Sequence, residues 1–68
     1  MKKFEVGKRY CWTNNQKFTV MEIDEDRDRL WISFDDDSTC FEEDETGYYP
    51  FLLSHRTSGL NSGETKEI

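Results

Sequence analysis

The chain of 68 residues contains no alanine, one proline, one histidine and two cysteines. Alanine is the best helix former, so its absence argues against a helical bundle. One histidine and no Cys-x-x-C pair leave a tetrahedral zinc site short of ligands, and no glycine-rich phosphate loop is present. Apolar runs stay far below the roughly 20 residues of a membrane span. Met1-Lys2-Lys3-Phe4-Glu5 lacks the apolar stretch of a secretory signal, which predicts a cytoplasmic protein. There Cys11 and Cys40 read as reduced and buried thiols. His55 has no acid or nucleophile at motif spacing, so an enzyme is not expected, and no catalytic residue, metal ligand or cofactor is assigned. A chain this short buries only about 60% of its unfolded surface, which excludes a second domain, a doubly wound nucleotide fold and a deep cleft.

The apolar residues that are present include ten aromatics: five Phe, three Tyr and two Trp. Aromatic and β-branched side chains fit a pleated surface, and each ring brings roughly 150–250 Å² of contact to a core built from few residues. The expected fold is all-β.

Along the chain, Phe4-Glu5-Val6-Gly7 leads into a first strand, in which Tyr10 and Trp12 alternate with Arg9 and Cys11. Asn14-Asn15 marks a hairpin, because asparagine tolerates the positive φ of a tight turn. Residues 17–23 form a second strand, where Phe18 and Val20 share a face while Met21 and Ile23 fall on the other. Either both faces are covered or a bulge near Val20-Met21 re-phases the pattern. Residues 24–29 are a solvated loop. Leu30, Ile32 and Phe34 then point inward from a third strand, leaving Trp31 on the opposite face as a partner anchor or the cover of a second small core. Thr39-Cys40-Phe41 reads as a short fourth strand, Glu42–Glu45 as a charged excursion with room for one helical turn, and residues 47–53 as the closing strand, with Pro50 at an edge or a start. The domain thus spans residues 1–53, and the polar, Gly/Ser-rich residues 54–68 read as a flexible tail.

Four to five short, strongly bent antiparallel strands with turns every 8–12 residues indicate a small barrel. Phe4-x-Val6-Gly7-Lys8-x-Tyr10, Lys17-Phe18-Thr19-Val20-x-x-Ile23-Asp24 and Leu30-Trp31-Ile32-Ser33-Phe34-Asp35-Asp36 resemble, in that order, the strands of SH3-like small barrels, Tudor modules among them. Asp37-Ser38 stand where Tudor modules carry a glycine. The resemblance implies a non-enzymatic binding module. Barrels of similar length occur among phage and mobile-element proteins that act as accessory or inhibitory binders.

Charge is segregated: residues 1–21 carry +4, residues 22–45 carry −10, and the remainder balances, for a net −6. Phosphates would be repelled by the middle of such a chain, so direct nucleic-acid binding is not expected. The acidic stretch, with Asp24, Asp26, Asp28, Asp35, Asp36, Asp37, Glu42, Glu43, Asp44 and Glu45, is instead a candidate face for a basic protein surface, in its strong form as a nucleic-acid mimic that inhibits a DNA-binding protein. Solubility and protection of strand edges account for the same charges. Asp24-x-Asp26-x-Asp28 has the opening spacing of a calcium loop, but Arg29 and Asp35 stand where its glycine and glutamate belong. A second candidate surface is aromatic: Trp12, Phe34, Tyr48 and Tyr49 could cage a methylated lysine or arginine, with Trp31 as a separate anchor. Core packing claims the same rings. Homo-oligomerisation through an edge strand and Trp31 is the third reading.

Overall fold

Hydrophobic alternation forms the strands where it is strongest. In the computed structural model, which describes residues 1–36 and 38–68, the chain runs through β1 (Arg9–Trp12), β2 (Lys17–Asp24), β3 (Arg29–Phe34), β4 (Tyr49–Leu52), α1 (Leu53–Ser62) and β5 (Thr65–Glu67). The five strands make one antiparallel sheet in the order β4-β3-β2-β1-β5. The all-β expectation therefore holds, with one short helix added. Among the described residues no helix is long and apolar enough to cross a membrane.

The inward set is the one that alternation selects: Tyr10, Phe18, Val20, Leu30, Ile32 and Phe34 are buried, joined by Phe4 and Leu60. Met21 sits at a bulge, because Val20 pairs with Ile32 while Glu22 pairs with Trp31. The extra residue turns Ile23 back toward the core, against which it packs. The β1–β2 turn closes on Asn15 at φ 69°, where Asn15 N–H donates to Trp12 C=O at 3.0 Å. Pro50 lies opposite Trp31 on β4, an edge strand, where the missing N–H costs no ladder bond.

Three segments differ from the sequence reading. Thr39-Cys40-Phe41 is not a strand, and residues 42–45 make no helical turn; instead Gly47 N–H donates to Asp44 C=O at 3.1 Å to close a turn. Cys40 is exposed and Cys11 half-buried, both as free thiols. Most consequentially, residues 54–68 are not a loose tail. They form most of α1 and then β5, which pairs Thr65 with Trp12, Lys66 with Cys11 and Glu67 with Tyr10. α1 packs on both β4 and β5, the two edges of the sheet.

The helix forms despite its polar, Ser- and Gly-containing sequence because the rest of the chain stabilises both its ends. Leu52 supplies no side-chain cap at its start. Asp28, from the β2–β3 turn, does so instead: its carboxylate accepts Ser54 N–H at 2.8 Å and Ser54 O–H at 2.6 Å, while its backbone C=O accepts Leu53 N–H at 3.0 Å. At the other end Gly63, at φ 91°, adopts the left-handed conformation that terminates helices. Between them Leu60 enters the core at 3% exposure. Asn61 exchanges two bonds with the backbone of Lys2 at 2.9 and 3.0 Å, fastening the amino-terminal segment to the helix.

The hydrogen bonds from Ser54, side chain first and then backbone, hold the Asp28 carboxyl below its ordinary value of 3.8. A carboxylate depressed by folding contributes stability that is present above that ordinary value and lost as pH falls through the folded-state value. The melting temperature should therefore fall on acidification below about pH 4, and Asp28→Asn should flatten that part of the profile. Thermal melts from pH 6 downward check this; a variant with the wild-type slope would remove Asp28 as a contributor.

Candidate functional site

Inward alternation along β1, β3 and β4 brings Trp12, Phe34 and Phe51 toward one end of the core, and the β3–β4 loop adds Phe41. Trp12 meets Phe34 at 5.5 Å, Phe41 at 5.9 Å and Phe51 at 5.7 Å between ring centroids, each edge to face. Phe41 and Phe51 are 4.9 Å apart at 79°. Edge-to-face contacts of this kind align the positive rim of one ring with the negative face of the next.

The guanidinium of Arg56, from α1, occupies this cluster. Its Cζ lies 4.5 Å from the Phe51 centroid, 4.8 Å from that of Trp12 and 5.9 Å from that of Phe41. Of the four rings considered for a cage, Trp12, Phe34, Tyr48 and Tyr49, only Trp12 carries this cation, which comes from the chain itself. Trp12 and Phe34 belong to the ring cluster, and Tyr49 reaches it through Phe34 at 4.7 Å. Tyr48 is half-buried and makes none of these ring contacts. Phe41, Phe51 and Arg56 complete the arrangement and were not among the residues singled out from sequence. Burial lowers the Arg56 pKa from its ordinary value. Among the described residues no carboxylate lies in salt-bridge range of Arg56. Among the described residues, its Nε–H and the Trp12 Nε1–H are buried donors with no acceptor.

Comparison with protein-family models, curated proteins and solved structures returned no match.

Trp31 has a different role from its neighbours on β3. Half-buried on the opposite face, it donates its Nε1–H to Asp44 at 2.9 Å. Asp44 also accepts the Thr46 N–H at 2.8 Å and the Thr46 hydroxyl. These bonds, Thr46 before Trp31, lower the Asp44 pKa from its ordinary value. Trp31 thereby anchors the β3–β4 loop, a role the sequence reading did not offer it.

The acidic residues do not converge on one patch. Asp24, Asp26 and Asp28 lie at the β2–β3 turn, whereas Asp35 and Asp36 follow the far end of β3, where Asp35 N–H donates to Lys17 C=O at 3.0 Å. The six residues of β3 separate these groups by roughly 17 Å, about twice the screening length at physiological salt. Several carboxylates are also engaged. Asp24 pairs with Arg27 at 3.7 Å, Asp35 with Arg9, Asp28 with Ser54 and Asp44 with Trp31. Asp26, Asp36, Glu42, Glu43 and Glu45 are exposed. Asp37 lies outside the described residues. No group of three or more His, Cys, Asp or Glu among the described residues is placed to hold a metal ion. The one histidine, His55, stands exposed on α1.

Proposed function

We propose that this protein is a non-enzymatic binding module of SH3-like type that presents the acidic β3–β4 loop to a basic protein surface. The observation that carries the reading is the display of Asp36, Glu42, Glu43 and Glu45 as exposed carboxylates on a loop anchored by the Trp31–Asp44 bond. An anchored loop loses less conformational freedom on binding than a free one, and its charge accelerates encounter with a cationic surface. The finer form of the proposal is a phage-type inhibitor whose carboxylates stand in for nucleic-acid phosphates in a cytoplasmic, DNA-handling partner. The methylated-peptide reading is less favoured because Arg56 already stacks on Trp12, one of the rings such a ligand would use.

The test is capture of partners from a lysate of the source organism, with the wild-type protein and an Asp36→Lys/Glu42→Lys/Glu43→Lys variant as parallel baits. A basic partner is expected, released by high salt, with at least about tenfold weaker binding to the variant, since reversed charges repel where they attracted. Duplex DNA should displace it if mimicry is correct. A partner held equally by both baits at high salt would sink the acidic-loop reading.

A further inference from the structure

The sheet ends in two unequal edges. At β4, Pro50 has no N–H to offer an incoming strand. At β5, Ile68 N–H donates to Arg9 C=O at 3.0 Å, so Ile68 turns its backbone toward β1. Successive residues of an antiparallel strand alternate in this respect, and Glu67 therefore directs its N–H and C=O away from β1. Glu67 is exposed, and among the described residues no backbone hydrogen bond occupies those two groups on that side. A free edge of this kind is a template for an added strand.

At the same edge lies a cavity of about 510 Å³, lined by Lys2, Lys3, Lys66 and Glu67, with the buried Tyr10 and Leu60. All three lysines are exposed, and among the described residues no carboxylate lies in salt-bridge range of any of them. Glu67 is shared with Lys8, 3.6 Å away. The carboxy-terminal end of α1 reaches the lining at Gly63 and contributes about half a negative charge. Three ammonium groups exceed both negative contributions, so the cavity is cationic on a chain of net charge −6. The two bonds between Asn61 and the Lys2 backbone hold its amino-terminal side against the helix.

From these features we infer that the β5 edge binds an extended acidic segment of a polypeptide, which adds as a strand beside Glu67 while its carboxylates meet Lys2, Lys3 and Lys66. In strand addition the main-chain bonds give affinity and the side chains give specificity. Here the free N–H and C=O call for a polypeptide backbone, and the lysines call for negative side chains. A polyphosphate would satisfy the lysines but brings no donor for the Glu67 C=O. The inference uses no residue of the acidic loop reading and stands or falls without it.

The ¹⁵N-labelled full chain is titrated separately with four probes. These are acetyl-Glu-Val-Glu-Val-Glu amide, its lysine-for-glutamate counterpart, a copy of the acidic peptide methylated at every backbone nitrogen, and tripolyphosphate. The acidic peptide should move the Glu67 amide proton saturably, with the Leu52 amide on β4 stationary. The basic and the methylated peptides should bind at least about tenfold more weakly, the first through repulsion and the second through lost main-chain donors. Lys2→Gln/Lys3→Gln/Lys66→Gln, at exposed positions that leave the core intact, should weaken the acidic peptide about tenfold or more. Added salt should weaken it in wild type and have less effect in the variant. No saturable shift of wild type, equal binding of the methylated peptide, the same Glu67 shift with tripolyphosphate, or wild-type affinity in the triple variant would each overturn the proposal.

Discussion

Deleting residues 54–68 is expected to abolish the folded state. The deletion removes Leu60, 3% exposed in the core, together with the strand paired to β1 and the arginine held in the ring cluster. Burial of a leucine contributes about 1.5–3 kcal/mol. The total stability of a chain this size, at about 0.05–0.15 kcal/mol per residue, is only roughly 3–10 kcal/mol. Loss of β5 also leaves the backbone of β1 unpaired on one side, and all these losses are drawn from that small margin. Thermal unfolding followed by circular dichroism, with an NMR spectrum of the 1–53 fragment, checks this. A cooperative transition and native-like dispersion in the fragment would show that α1 and β5 are accessories.

Phe18→Ala should be among the most damaging single substitutions. Phe18 is 1% exposed and touches four other rings, with centroids 5.0 Å away for Trp12, 5.8 Å for Tyr10 and 6.4 Å for both Phe4 and Phe34. It links the Phe4–Tyr10 end of the core to the Trp12–Phe34 end. Truncating a buried phenylalanine costs about 3–5 kcal/mol through lost transfer energy and the cavity left behind. Against a margin of roughly 3–10 kcal/mol, that leaves the variant largely unfolded or close to it. Urea titration is the measurement, with Phe18→Leu as the milder control. A midpoint for Phe18→Ala near that of wild type would mean that the core is redundant at this position.

These two positions differ in how visible their importance is in the sequence. Phe18 lies in a strand pattern of period two that also selects Val20, Leu30, Ile32 and Phe34, all of them buried. Asn15 at a positive φ, the bulge after Val20 and the edge position of Pro50 follow from local chemistry in the same way. Nothing equivalent marks residues 54–68. Within α1 only Leu53 and Leu60 are apolar aliphatics, too few to make a helical stripe. The capping carboxylate, Asp28, stands 26 residues before Ser54.

The candidate site divides along the same line. Trp12 and Phe34 were identifiable as aromatics on inward positions, and the exposed acids as charges in loops. Arg56 was not, because a lone arginine among serines and threonines carries no local signal, and its partners are at positions 12, 41 and 51. Trp31 reads in the sequence as a partner anchor or the cover of a second small core; its bond to Asp44, 13 residues later, depends on the fold. Acids adjacent along the chain proved to lie at opposite ends of a strand, because six extended residues span more than the screening length.

Strand identity, facing and turn geometry in this protein are local properties, set by alternation and by residues that tolerate particular φ values. The carboxy-terminal helix, the fifth strand and the cation among the rings depend on groups far apart in sequence. Capping, cation–π contact and strand pairing act over a few ångströms, so only the folded chain determines which distant residues come within their reach.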